Sequence, residues 1–137
     1  MIRKMINIDS TNGENMGNQE SAENYLETIF ILKNKNGVVR SIDIVHELGI
    51  TKPSVSVAMK NLKQKGLITV EEKGYIELTE EGYNIADMVY ERHVVISKML
   101  EKLGVSPDIA VKDACKIEHV ISSESFQAIK EHVKKYI

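Results

Sequence analysis

Apolar residues recur at helical spacing in most of this chain and alternate with polar ones in two short stretches near its middle. Ala22, Tyr25, Leu26, Ile29 and Phe30 make the first stripe, with Ser21 as a good N-cap before it and Asn34 to Gly37 ending it. A short segment follows, opened by Ser41, carrying Val45 and Leu48, and closed by Gly49, which suits a left-handed C′ position. Thr51 caps a further helix to about Lys65 with Val55, Ala58, Met59 and Leu62 inward, and Gly66 terminates it. Ile68 and Val70, then Ile76 and Leu78, have strand alternation, and Glu72-Lys73-Gly74 is a turn between them. Thr79, with Glu80 and Glu81 in the first turn, opens a long helix to about Leu103. Its apolar seam is Ile85, Val89, Ile96, Leu100 and Leu103, and Gly104 stops it. Ser106-Pro107 restarts a helix, and Ser122 or Ser123 caps a last one with Phe126, Ile129 and Val133 inward.

This order predicts a mainly α protein: an N-terminal winged helix-turn-helix followed by an α-helical dimerisation domain. Helix, tight glycine-containing turn, helix is a DNA-reading unit, and a hairpin placed directly after it is the wing. The predicted organisation is a flexible polar arm over 1–20, a winged-helix DNA-binding domain over 21–78, and a helical dimerisation domain over 79–137. The last region is short for a core of its own, so its seams are expected to pack against a second copy. A homodimer on a palindromic operator in double-stranded DNA follows from two-fold symmetry.

The distribution of charge marks a candidate DNA face. The chain of 137 residues has a formal net charge of −2. Yet residues 51–73 hold five lysines (52, 60, 63, 65 and 73) against Glu71 and Glu72. A local basic surface on a mildly acidic protein is compatible with DNA contact, although a solvated helix face reads the same way by charge alone. Thr51, Lys52, Pro53, Ser54, Ser56 and Lys60, on the start and outer face of the second helix of the pair, and Lys73 in the wing are the candidate DNA-facing residues. The three lysines would meet phosphate; the hydroxyls and Pro53 would meet base edges or thymine methyls. Thr51 has capping as its alternative role.

Composition narrows the setting. No apolar run approaches the ~18 residues of a membrane span, and the N-terminus lacks the apolar core of a secretory signal. A single cysteine rules out an internal disulfide and fits the reducing cytoplasm.

That cysteine lies in Cys115-Lys116-Ile117-Glu118-His119. On a helix Cys115, Glu118 and His119 stand at i, i+3 and i+4 and share a face. Thiol, carboxylate and imidazole together suit a divalent transition metal, with a thiolate favouring softer ions. His93, on the preceding helix, can approach them if the two helices are antiparallel neighbours. Asn24 and Glu27, three apart on the first helix, are further candidates if that helix packs against this region. The alternatives are a small buried hydrophobe at Cys115 and a solvated Glu-His pair. His46 and His132 have no thiol or carboxylate at ligand spacing and are assigned to the surface.

The segments SAENYLETIF (21–30), the helix-turn-helix over 41–65, VYERH (89–93) and DACKIEHVIS (113–122) together resemble the diphtheria toxin repressor and manganese transport regulator family of metal-dependent transcriptional regulators. The likeness runs over about 21–137, in the short form without a C-terminal SH3-like domain. It implies Glu27, His93, Cys115, Glu118 and His119 as ligands of Fe(II) or Mn(II), with Zn(II), Co(II) or Ni(II) binding in vitro, and repression of metal-uptake genes. The ligand segment is similar to the iron-dependent branch, which has Cys where the manganese branch has Glu. Asn24 matches neither branch: the manganese branch has Asp there and the iron branch Met. Ser97 and Val111 stand where the iron branch's ancillary ligands would be.

Two rival expectations remain: a metal-independent winged-helix regulator with Cys115 as a redox sensor, and a metal-dependent enzyme. Against the enzyme, the chain has no His-Glu-x-x-His, nucleophile elbow or glycine-rich phosphate loop. No small organic ligand is expected.

Overall fold

The computed structural model describes residues 17–136. Among them six helices and one hairpin follow in the order α1 (Gly17–Asn36), α2 (Ser41–Leu48), α3 (Lys52–Gln64), β1 (Ile68–Val70), β2 (Ile76–Leu78), α4 (Glu80–Lys102), α5 (Pro107–Ile117) and α6 (Ser123–Tyr136). The chain forms two compact units, one ending at Asp87 and the other starting at Met88. The compact units meet inside α4, whose start is tied by Thr79 to Gly66 and Leu67. No helix among the described residues is long and apolar enough to cross a membrane.

In the first unit, α1 begins at Gly17, not at Ser21. Gly17–Glu20 thus belong to the helix rather than to a polar arm; the rest of that arm lies outside the described residues. Asn18, Gln19 and Glu20 carry no apolar stripe for periodicity to follow, but Glu20 is well placed at the positive end of the helix dipole. Residues 23–30 are all buried, polar Glu23, Asn24, Glu27 and Thr28 included, so the middle of α1 is buried all round rather than along one stripe, while its last turn, Asn34–Asn36, is exposed. The Thr28 hydroxyl donates to the Asn24 carbonyl at 2.8 Å.

Helix α2 is capped from Asp43. Its carboxylate accepts the Arg40 N–H at 2.9 Å, and Ser41 is the first helical residue rather than the cap. Gly49 adopts φ 65° and closes α2, its N–H reaching the Val45 carbonyl at 2.9 Å. The Thr51 hydroxyl then accepts the Ser54 N–H at 3.3 Å and starts α3. Val55, Met59 and Leu62 of α3 are buried. In the wing, Ile68 pairs with Leu78, Thr69 with Glu77 and Val70 with Ile76. The Ile76 N–H also donates to the Val39 carbonyl at 2.8 Å, and the Arg40 guanidinium lies 4.3 Å above the Tyr75 ring. Both contacts tie the base of the wing to the entry of α2.

Thr79 joins wing to α4. Its hydroxyl donates to the Gly66 carbonyl at 2.7 Å and accepts the Gly82 N–H at 3.2 Å. That clamp presses the first turn of α4 onto the chain after α3. A Cβ on Gly82 would stand 2.0 Å from the Leu67 carbonyl oxygen.

In the second unit, Ile96 of α4, Ala114 of α5 and Phe126 of α6 form the core, with Leu100, Ile117 and Ile121 packed against it. Leu103, expected in the α4 seam, is 75% exposed. The helix ends at Lys102, so Leu103 enters the turn and leaves the stripe. Pro107 is the first residue of α5, as the Ser-Pro pair predicts. Of the two serines before α6, Ser122 is the cap: its hydroxyl accepts the Ser125 N–H at 3.1 Å.

Gly82→Ala is expected to destabilise the protein by about 1–3 kcal/mol, since the added methyl meets backbone that cannot rotate away. Thermal unfolding checks it: a midpoint several degrees lower is the expected result, and an unchanged midpoint contradicts the clamp.

Candidate metal centre and DNA face

His93 sits mid-way along α4 and is almost wholly buried. Cys115 is in the last turn of α5. That helix stops at Ile117, so Glu118 and His119 are beyond its end rather than within it. The shared face survives because Glu118 keeps helical dihedrals (φ −57°, ψ −25°) and donates its N–H to the Ala114 carbonyl at 2.9 Å. Beyond it the Val120 and Ile121 N–H groups both turn back to the Ile117 carbonyl. The carboxylate of Glu118 therefore still projects one turn after the thiol of Cys115.

Glu118 is fully buried and lies between two imidazoles. Its Oε2 is 3.0 Å from His93 Nδ1 and its Oε1 is 3.2 Å from His119 Nε2. The His119 side chain is 1% exposed. Cys115 is half-buried as a residue, but its sulfur faces inward, 3.8 Å from His93 Nδ1. One ligand atom each from His93, Cys115 and Glu118 lie within 4.8 Å of one another.

The donor set fits a transition metal. Sulfur, imidazole nitrogen and carboxylate oxygen at these separations can serve as neighbouring ligands of an ion bound at about 2.0–2.3 Å. Burial adds a second reason. A carboxylate away from water needs compensating positive charge or hydrogen bonds, and a thiolate beside it needs more. A divalent cation would supply the missing charge.

Of the sequence-derived ligands, the structure brings together His93, Cys115, Glu118 and His119. Asn24 and Glu27 lie on α1 in the first unit, both buried and Glu27 completely so. Ser97, one turn beyond His93, is buried, and Val111 is half-buried; neither offers a carboxylate or imidazole.

Of the candidate DNA-facing residues, Thr51 at the cap of α3 and Lys52, Pro53, Ser54, Ser56 and Lys60 along it are all exposed, as is Lys73 in the wing. Thr51 and Ser54 are coupled through the cap, their hydroxyls 2.9 Å apart. Sequence reasoning passed over Val57, which is 61% exposed in the middle of this surface. The signal was available: Val55, Met59 and Leu62 complete the inward stripe and leave Val57 off it. It also passed over Arg92, a cation set at helical spacing between Val89 and Ile96, both buried.

Residues 19–76 match the model of the iron-dependent repressor N-terminal DNA-binding domain, and residues 79–136 that of the iron-dependent repressor metal-binding and dimerisation domain. The transcriptional regulator MntR of Escherichia coli O6:H1 is 35% identical over 118 residues, covering 86% of this chain and 76% of that protein. An HTH-type transcriptional regulator of Methanocaldococcus jannaschii is 31% identical over 119 residues, 85% of this chain and 95% of that one. Among solved structures, a manganese-dependent transcriptional repressor in complex with manganese aligns with a TM-score of 0.75 at 23% identity, over 82% of this chain and 52% of that one. The manganese regulator SloR aligns with a TM-score of 0.73 at 22% identity, over 82% and 53%. These two establish the fold, and the chain spans about half the length of either. Nothing in these relatives supports a metal-independent regulator that senses through Cys115. The chain belongs to the iron-dependent repressor family of metal-dependent transcriptional regulators, the family its sequence segments resemble.

Proposed function

We propose that this protein is a cytoplasmic repressor that binds a palindromic operator as a homodimer when Fe(II) or Mn(II) is present, and so controls metal-uptake genes. The observation that carries the proposal is the buried His93–Cys115–Glu118 cluster in a chain that also has an intact DNA-reading unit. It acts by binding, not by catalysis.

His93, Cys115 and Glu118 hold the ion, which supplies the positive charge that the buried carboxylate and thiolate require. His119 either joins them or holds the second oxygen of Glu118 in place. Glu27 is proposed as a further ligand on the family resemblance, and Asn24, three residues before it on α1, as a weaker one through its neutral amide. The thiolate makes Fe(II) a better fit than it would be in an all-oxygen and nitrogen site, while Zn(II), Co(II) and Ni(II) bind in vitro. Dimerisation is supported by apolar side chains left exposed on the second unit, among them Val94, Leu103, Ile109 and Val120. Metal occupancy raises DNA affinity by narrowing the range of conformers the dimer samples, so that the competent one is no longer a minor fraction.

In an anaerobic DNA-binding titration, Mn(II), Fe(II), Co(II) and Zn(II) are expected to restore binding that a chelator abolishes. Equal affinity with and without metal would sink the proposal. Glu118→Gln should weaken Co(II) binding by at least about tenfold, the lower bound for losing even a group that supports a ligand; wild-type binding would remove Glu118 from the site. On the DNA side, Lys60→Ala should weaken all sequences alike and reduce the salt slope by about one unit. Val57→Ser should instead lose discrimination for thymine at one position of each half-site, with the salt slope unchanged. A uniform loss of affinity from Val57→Ser would assign that side chain to general packing.

A further inference from the structure

Arg92 immediately precedes His93 on α4 and is 7% exposed. Its guanidinium does not meet a carboxylate within the hydrogen bonds it makes. One terminal nitrogen donates to the Glu118 carbonyl at 3.2 Å and to the Ile121 carbonyl at 2.9 Å. The other reaches the Ser123 hydroxyl at 3.4 Å. The group also lies 5.5 Å from the centre of the Phe126 ring. Every acceptor belongs to the stretch from Glu118 to Ser123 that leads from α5 into α6.

That stretch needs such a partner. The Glu118 carbonyl, at the C-cap of α5, has no acceptor role left inside the helix, and a cation placed on it gains from both hydrogen bonding and the helix dipole; the Ile121 carbonyl lies in the turn beyond. A planar fork is also better suited than an ammonium to hold several carbonyls in fixed directions. The consequence for the site follows from the numbering. Arg92 takes the carbonyl of Glu118, while His93, the next residue, takes its carboxylate at 3.0 Å. Two successive residues of α4 thus grip one residue by its backbone and by its side chain.

We infer that Arg92 is a positioning residue of the metal centre: it clasps the α5–α6 turn to α4 and so sets where the carboxylate of Glu118 and the imidazole of His119 stand relative to His93. It touches no ligand atom of the cluster and is not itself a ligand. The inference rests on the metal-binding reading above. Without the clasp, all four candidate ligands remain, but the turn that carries two of them is free to shift. Loss of a group that orients a ligand typically costs 10–100-fold in metal affinity.

The test uses the full chain with Co(II) as probe, following the thiolate charge-transfer and ligand-field bands. Arg92→Met keeps an unbranched apolar stem and removes every donor; Arg92→Lys keeps the charge and one donor centre. Arg92→Met is expected to lose about 10–100-fold in Co(II) affinity with altered ligand-field bands, while far-ultraviolet circular dichroism and the metal-free thermal midpoint show it folded. Arg92→Lys is expected to fall between it and the wild type. If Arg92→Met does not fold, Arg92→Lys decides. Wild-type affinity and bands in either folded variant overturn the inference, as does a lowered midpoint with metal binding intact. Loss of fold in both makes Arg92 merely structural and also overturns it. Failure of the wild-type protein to bind Co(II) is a different result, which refutes the metal site itself.

Discussion

The carboxylate of Glu118 is the constraint around which the second unit is organised. A fully buried carboxylate is expensive unless its charge and lone pairs are answered. Here two imidazoles approach its two oxygens, and a thiol lies beside one of those imidazoles. These groups come from α4, from the end of α5, and from the turn after it. The core of Ile96, Ala114 and Phe126 holds the three helices of the unit together, and the polar cluster stands on that support. A packed apolar scaffold beneath a polar cluster is what a preorganised binding site needs.

The DNA-reading unit is built by different means. Its elements are short and its joints are made by capping. Asp43 starts α2, Gly49 ends it, Thr51 starts α3, and Thr79 binds the wing to α4 while spanning back to Gly66. Each joint uses a hydrogen bond of ordinary strength, so their number and order set the angle at which α3 presents Val57 and its lysines. The close approach at Gly82 shows how little slack these joints leave. Helix α4 contributes residues to both units, Ala86 to one and His93 to the other.

Much of this was legible in the chain because helical spacing and capping residues are local signals. The positions of α2, α3, the wing, α5 and α6 follow from them within a residue or two. Where expectation and structure part, the missing information is tertiary. The start of α1 at Gly17 could not be read from residues with no apolar stripe, and the burial of its middle all round is invisible to a one-stripe pattern. Leu103 kept the spacing of a seam residue, but the helix ended one residue before it. The Cys-x-x-Glu-His spacing correctly placed thiol and carboxylate together, even though α5 ends first, because Glu118 stays helical in its dihedrals. His93 as their neighbour was inferable from the antiparallel helix pair. The grip of Arg92 on backbone carbonyls was not, since carbonyls leave no mark in sequence; only an arginine at a core spacing hinted at it. Asn24 and Glu27 enter the account through their spacing of three on the first helix, and Glu27 also through the family resemblance; both are buried.

The central claim is that a metal ion is held here with the sulfur of Cys115 as one of its ligands. X-ray absorption on protein loaded with one equivalent of Fe(II) or Co(II) addresses it most directly. The account predicts a single sulfur scatterer at about 2.3 Å together with nitrogen and oxygen scatterers at about 2.0–2.2 Å, with the sulfur shell lost in Cys115→Ser. A shell of nitrogen and oxygen alone in the wild-type protein would contradict it.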